Sequence, residues 1–270
     1  MSALSGATVV SVALNVPGPL AVSRLVAEGA RATKVEPPGG DPLAGFCPPW
    51  YAELHRGVSV ERLDLKGDGG ARLHTLLADA DLFVASQRPA ALARLGLDAD
   101  TLLGPSSRAP RLRHLNIVGE LARPEVAGHD LTYLARAGLL GHELPRTLIA
   151  DVLGAERAFS AALLLLQQPP ATHVEVGLYD ALEGLIAPLR HGLTGPGKLL
   201  GGTLPSYDMY EARAGRIAVA ALEPHFRTRL YDALGLPPGA ALTQVFRTRS
   251  AGEWEDWGMA HDLPISAVRE

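Results

Sequence analysis

Thr8-Val-Val-Ser-Val-Ala-Leu14 is a β-branched, apolar run of strand length, and its sequel decides the fold. Pro17-Gly-Pro19 ends the run. From Leu20 to Glu28 apolar residues return at helical spacing (Leu20, Val22, Leu25, Val26), and Gly29 stops the pattern. Thr33-Lys-Val-Glu36 reads as a second strand, closed by Pro37-Pro-Gly-Gly40. After a loop holding Cys47 and Trp50, a third unit begins at Val58 and reaches Leu63-Asp64-Leu65-Lys66. A helix over about Gly70–Leu77 follows, then the strands Asp81–Ala85 and Leu112–Val118. Strands alternating with short helices are the pattern of an α/β fold with a doubly wound, largely parallel sheet.

Further on, the spacing predicts a strongly apolar helix over Glu156–Leu166, a strand over His173–Gly177 and a helix over Leu178–Leu189. The glycine-rich stretch Gly192–Gly202 reads as a linker. The strand Arg216–Ala221 and the helix His225–Leu234 then form a second, smaller α/β domain. The expected organisation is a large domain over 1–191, a linker over 192–202 and a small domain over 203–270. Tyr207, Met209 and Tyr210 are expected in the small domain's core, and Trp254 and Trp257 on one buried helix face.

Composition narrows the function. A net charge of −4 without any Lys/Arg run offers no field for nucleic acid. The single cysteine, Cys47, excludes an internal disulfide framework and suits a reducing cytoplasm. The N-terminus has no basic region ahead of its short apolar run, and no apolar stretch reaches the ~20 residues needed to cross a bilayer. A cytoplasmic protein with no membrane partner is expected. The sheet suggests a nucleotide fold, yet there is no Gly-x-Gly-x-x-Gly and no Walker loop. The prolines of Val16-Pro17-Gly18-Pro19 remove amide donors that a phosphate cradle would use.

Two proton-transfer groups stand out instead. His129 lies in Gly128-His129-Asp130-Leu-Thr-Tyr133, and an imidazole suits proton abstraction and return near neutral pH. Asp151 ends the apolar run Leu148-Ile-Ala, ahead of a helix expected from about Gly154, where a carboxylate could cap the helix or serve as acid/base or nucleophile. Glu223 precedes Pro224 and would by itself be read as another cap.

Together, Gly-His-Asp at 128–130, Asp151, Leu222-Glu223-Pro224-His225-Phe226 and Pro17-Gly-Pro19 resemble the type III CoA-transferase family (CaiB/BaiF), and within it the α-methylacyl-CoA racemase branch. The resemblance implies a Rossmann-like large domain and an acyl-CoA substrate, with CoA as part of the substrate and no separate cofactor or metal. It implies reversible proton transfer at the α-carbon of a 2-methylacyl thioester, with His129 on one face, Asp151 on the other and Glu223 tuning Asp151. Backbone amides and the helix start near Gly154 would hold the enolate oxygen. The same resemblance makes Lys34, the backbone of Leu63, Asp64, Leu65 and Lys66, and Ser86, Gln87, Arg88 and Arg94 candidates for the CoA moiety, with Gly128, Asp130 and Tyr133 beside them. Ala90 stands where the family usually has glycine, and His55 where it usually has asparagine.

Two alternatives stay open: CoA transfer between acyl groups through an Asp151 mixed anhydride, and a diverted member with other chemistry or non-catalytic ligand binding. A homodimer is expected. With the chain ending at Glu270 there is no second crossing between domains, so the subunits are expected not to interlock.

Overall fold

In a strand, neighbouring side chains point to opposite faces of the sheet, so a strand covered on both sides is apolar throughout. The two central strands are β1 (Thr8–Ser11) and β4 (Leu82–Ala85), and their apolar residues turn to both faces. Val9, Leu82 and Val84 join one core with Leu25, Leu115, Ala158 and Leu165. Val10, Phe83 and Ala85 turn the other way and pack with Val35, Leu73, Leu77 and Leu92.

The computed structural model describes residues 2–269. Along the first unit the remaining elements are α1 (Pro17–Ala27), β2 (Arg31–Glu36), α2 (Pro42–Phe46), α3 (Pro48–Leu54), β3 (Val58–Arg62), α4 (Gly69–Ala78), α5 (Pro89–Leu95), α6 (Ala99–Leu103), β5 (Arg113–Val118), α7 (Asp130–Arg136), α8 (Ile149–Leu166), β6 (His173–Gly177), α9 (Leu178–Ala181) and α10 (Glu183–Arg190). Six strands pair in parallel in the order β3-β2-β1-β4-β5-β6, the doubly wound α/β sheet expected from the sequence.

Gly18 is fixed by packing, because a Cβ there would lie 2.1 Å from the Cβ of Ala13. That close approach seats the start of α1 directly on the end of β1. The chain leaves β1 toward one edge and β4 toward the other, so the loops after these strands diverge and open a crevice at their carboxyl ends.

The chain passes into a second compact unit at Leu185–Ile186, inside α10. The expected boundary lay at 191–192; the glycine-rich stretch belongs to the second unit and turns repeatedly, with positive φ at Gly192, Gly195, Gly197 and Gly202. This unit has a three-stranded antiparallel sheet, β7 (Tyr207–Glu211), β8 (Arg216–Ala220) and β9 (Ile265–Ala267), with β8 in the middle. Against it pack α11 (Pro224–Leu234), α12 (Thr243–Phe246) and α13 (Ala251–Ala260), around Ile217, Leu230, Phe246, Trp254 and Ile265. Trp254 is buried and donates its indole N–H to the Phe246 carbonyl at 2.7 Å, and Trp257 packs at the edge of the same core. Tyr210 is buried as expected, but Met209 points outward and is 62% exposed, because alternation along β7 sends the two to opposite faces. Among the described residues no helix is long and apolar enough to cross a membrane.

Candidate active site

A cleft of about 590 Å³ occupies the crevice of the first unit. The turn after β1 supplies Leu14–Pro17, the turn after β4 supplies Ser86–Arg88, and the end of β5 supplies Ile117–Gly119. Leu43, Phe46, Cys47 and Trp50 form an apolar wall, and His129, Tyr133, Leu148 and Asp151 close the site.

Asp151 is the third residue of α8, which begins at Ile149 and not near Gly154. The expected capping role belongs to Asp130: its Oδ1 accepts the backbone N–H of Ala150 at 2.6 Å and of Asp151 at 3.1 Å. Asp130 is itself buried, so its charge reaches Asp151 through little water. Burial first, and the Asp130 charge second, push the Asp151 carboxyl up to about 6, against the opposing pull of His129. The sequence had assigned the role of neighbouring carboxylate to Glu223; within this unit Asp130 fills it. Glu223 is the exposed residue that precedes α11 in the second unit.

His129 starts α7 in extended conformation and is exposed at the cleft. The Thr132 hydroxyl accepts its backbone N–H at 3.0 Å and donates to its carbonyl at 2.8 Å, which fixes the backbone that carries the imidazole. One turn on, Tyr133 is 4% exposed. A Cβ at Gly128 would lie 2.4 Å from its ring and one at Gly119 2.3 Å from its hydroxyl oxygen. The glycine and tyrosine of the Gly-His-Asp-x-x-Tyr motif are therefore one packing unit.

Leu121 to Ala127 run along the cleft as a tied strap. Leu121 N–H donates to Asp180 at 2.9 Å, Glu120 pairs with Arg136 at 2.9 Å, and Glu125 accepts the N–H of Ala90 at 2.7 Å. Ser86 accepts the N–H of Leu14 at 3.1 Å, and the Gln87 amide donates to the Val12 carbonyl at 2.7 Å, which ties the turns after β1 and β4 together. Arg88, exposed at the start of α5, lines the same cleft.

The model of CoA-transferase family III matches residues 4–270. The chain belongs to CoA-transferase family III. It is 30% identical over 209 residues to a probable fatty acyl-CoA transferase of Mycobacterium tuberculosis, covering 68% of this chain and 52% of that protein. It is 29% identical over 259 residues to human alpha-methylacyl-CoA racemase, covering 87% of this chain and 65% of that one. A crystal structure of a hypothetical protein from M. tuberculosis superposes with a TM-score of 0.85 at 24% identity, over 100% of this chain and 86% of that one. The chain thus spans about half to two thirds of the length of these two curated relatives.

Of the positions that the family resemblance singled out, the cleft gathers Ser86, Gln87, Arg88, Gly128, His129, Tyr133 and Asp151. It does not gather the rest. Arg94 sits in the last turn of α5, and Leu63 and Leu65 pack on the apolar core, with Asp64 and Lys66 in an exposed turn. The helix start near Gly154 cannot hold an oxyanion as expected: Gly154 is buried, and a Cβ there would lie 2.3 Å from Leu178 Cδ2. The two amides one turn earlier are engaged by Asp130.

Lys34 is the largest departure. It is 2% exposed, and its ammonium is spent on protein groups. It pairs with Asp41, lies 3.3 Å from Glu36 and 2.8 Å from His55 Nε2. His55 Nδ1 lies 2.6 Å from the Tyr51 carbonyl, so Nδ1 carries the proton and Nε2 accepts from Lys34. Burial, with the Lys34 charge beside it, lowers the His55 pKa and keeps the ring neutral. The ligand atoms of Glu36, Asp41 and His55 lie within 4.8 Å of one another, a spacing a metal could use, but the Lys34 ammonium already supplies the cation among them. Asp41 also accepts the N–H of Asn15 at 3.0 Å and of Leu43 at 2.9 Å. Lys34 thus braces the cleft wall from behind. The sequence reading missed Asn15 and Asp41. Their signal was an asparagine just past the first strand, a residue that tolerates its φ of +62°, and an aspartate before Pro42.

Proposed function

We propose that this cleft binds an acyl-CoA thioester and that Asp151 and His129 exchange a proton at its α-carbon. The observation that carries the reading is a half-buried carboxylate, raised to about 6, in the same cleft as an imidazole. In one direction the Asp151 carboxylate takes the α-proton and the C–H electron pair moves onto the thioester oxygen. His129, in its protonated form, then returns a proton to the opposite face, and the reverse direction exchanges the roles. Arg88 at the cleft is the cation proposed to meet the CoA phosphates, and CoA enters with the substrate. The similarity to human alpha-methylacyl-CoA racemase over 87% of this chain supports this direction.

A second reading uses the same carboxylate as a nucleophile: Asp151 attacks the thioester carbonyl, CoA thiolate leaves and a mixed anhydride forms. The similarity to a probable fatty acyl-CoA transferase favours it. One experiment separates the two. Incubation with (2R)-2-methylacyl-CoA in deuterated water, beside a parallel mixture with labelled free acid, reports α-deuterium and label exchange. Proton exchange predicts α-deuterium together with inverted product, and His129→Ala abolishes the inversion; label exchange without α-deuterium supports transfer, and absence of both products refutes both readings.

A further inference from the structure

The second unit holds a cavity of about 290 Å³ that shares no lining residue with the cleft of the first. That volume is at the small end of ligand pockets and suits a compact molecule. Its apolar wall is stiff: Leu204 is joined by Pro205, Pro224 and Pro238, whose rings fix φ. The Tyr210 hydroxyl donates to the Pro205 carbonyl at 2.6 Å, and the Ala240 N–H donates to the Pro237 carbonyl at 3.1 Å, so the turns around these prolines are tied.

Polar groups set into this wall have no protein partner. Ser206 is 2% exposed and lines the cavity, yet its hydroxyl makes no hydrogen bond among the described residues. A buried hydroxyl without a partner is costly, so its place at the cavity marks where a ligand's acceptor belongs. Arg227, near the start of α11, forms no ion pair among the described residues, whereas Arg229 is closed by Asp262. Thr228 stands beside it at the cavity with its hydroxyl equally unengaged. Burial raises the Tyr231 pKa, opposed by the Gly239 backbone and by the Arg227 charge, so the phenol is a neutral neighbour of the guanidinium. We infer that this cavity binds a small monocarboxylate with a compact apolar body. The carboxylate pairs with Arg227 and accepts from Ser206 and Thr228, while the hydrocarbon lies against the prolines. A guanidinium fork matches a carboxylate, and one cation balances one charge. A phosphate dianion would bring a second charge that no lining residue neutralises. The assignment is independent of the chemistry in the cleft. Occupancy would tie α11 to the segment that leads into β7 and so stabilise the second unit.

The probe is 3-methylbutyrate, titrated into the full chain and followed by backbone amide NMR shifts. Saturable shifts should appear at residues 204–206 and 224–231, with a Kd on the order of 1 mM. The neutral counterpart, 3-methylbutyramide, should bind about tenfold more weakly or worse, because it cannot pair with the guanidinium. Arg227 is exposed, so Arg227→Gln should fold and should weaken the acid by a similar factor. Arg247→Gln, which removes an exposed arginine of the same unit outside the cavity, should leave the Kd unchanged. Ser206→Leu should fill the cavity and abolish binding; should it fail to fold, Arg227→Gln still decides the matter. An Arg227→Gln protein that binds the acid like the wild type overturns the assignment, as does an amide that binds like the acid. Inorganic phosphate that binds more tightly than the acid at these residues overturns the carboxylate class. A wild type whose shifts do not saturate, or lie only elsewhere, overturns the site, and none of these outcomes bears on the acyl-CoA reading of the cleft.

Discussion

Asp130 holds the helix that presents Asp151, its Oδ1 accepting the Ala150 and Asp151 N–H groups at 2.6 and 3.1 Å. One carboxylate therefore does two things to the other: it fixes its position through the backbone and raises its proton affinity through space.

These effects separate in Asp130→Asn, whose amide oxygen still accepts the N–H groups but carries no charge. Asp151, at about 6 in the wild type, should titrate lower in this variant. Wherever Asp151 acts as base, activity rises as pH passes upward through its pKa, so the acidic limb of kcat/KM should move to lower pH. An unmoved limb would show that burial alone sets the value. Asp130→Ala should in addition lose about 1 kcal/mol of stability with the cap.

Lys34→Ala tests the brace. It leaves Asp41 and Glu36 buried without their cation, which typically costs about 3–5 kcal/mol. Denaturant melts should show the loss. A lysine that met a CoA phosphate instead would raise KM with little change in melting.

Arg88 and Arg94 should now behave differently. Arg88 lines the cleft and Arg94 does not. Arg88→Ala should raise KM for the acyl-CoA about tenfold with little change in kcat, as for an interaction made equally in ground and transition states. Arg94→Ala should leave both near wild type. Equal effects from the two would misplace the CoA moiety.

His114 predicts an acid-sensitive fold. It is 1% exposed between Phe83 and His173, and neither ring nitrogen has a hydrogen-bond partner. Burial, and secondarily His173, lowers its pKa from 6.5 to about 3. The folded ring stays neutral while the unfolded one protonates below about 6.5, so stability should decline as pH falls from there toward 3. The loss reaches at most about 5 kcal/mol. His114→Leu should flatten melting temperature over this window; an equally steep fall in the variant would refute the assignment.

The parallel sheet was legible because the strands around Val9 and Phe83 are apolar on both faces, and glycines and prolines punctuate the units between. His129 and Asp151 were legible because local motifs carry them. What escaped was set by contacts distant in sequence. Asp130 caps a helix that begins nineteen residues later, so the sequence alone placed the start of α8 too late and gave Asp151 the capping role. Lys34 was read as a CoA contact at a strand end, because the partners that bury it, Asp41 and His55, flank helices that come later in the chain. β7 and β9 are short, and β7 carries Asp208 and the outward Met209 in place of an unbroken apolar run.

The central claim is that Asp151 and His129 work on one α-carbon. Its most direct test is the rate of deuterium entry from D₂O into (2R)-2-methylacyl-CoA, followed by mass spectrometry with stereochemistry resolved on a chiral phase. The wild type should incorporate α-deuterium and yield both epimers, whereas Asp151→Asn and His129→Ala should each yield no inverted product. Inverted product formed at the wild-type rate by either variant would contradict the two-base account.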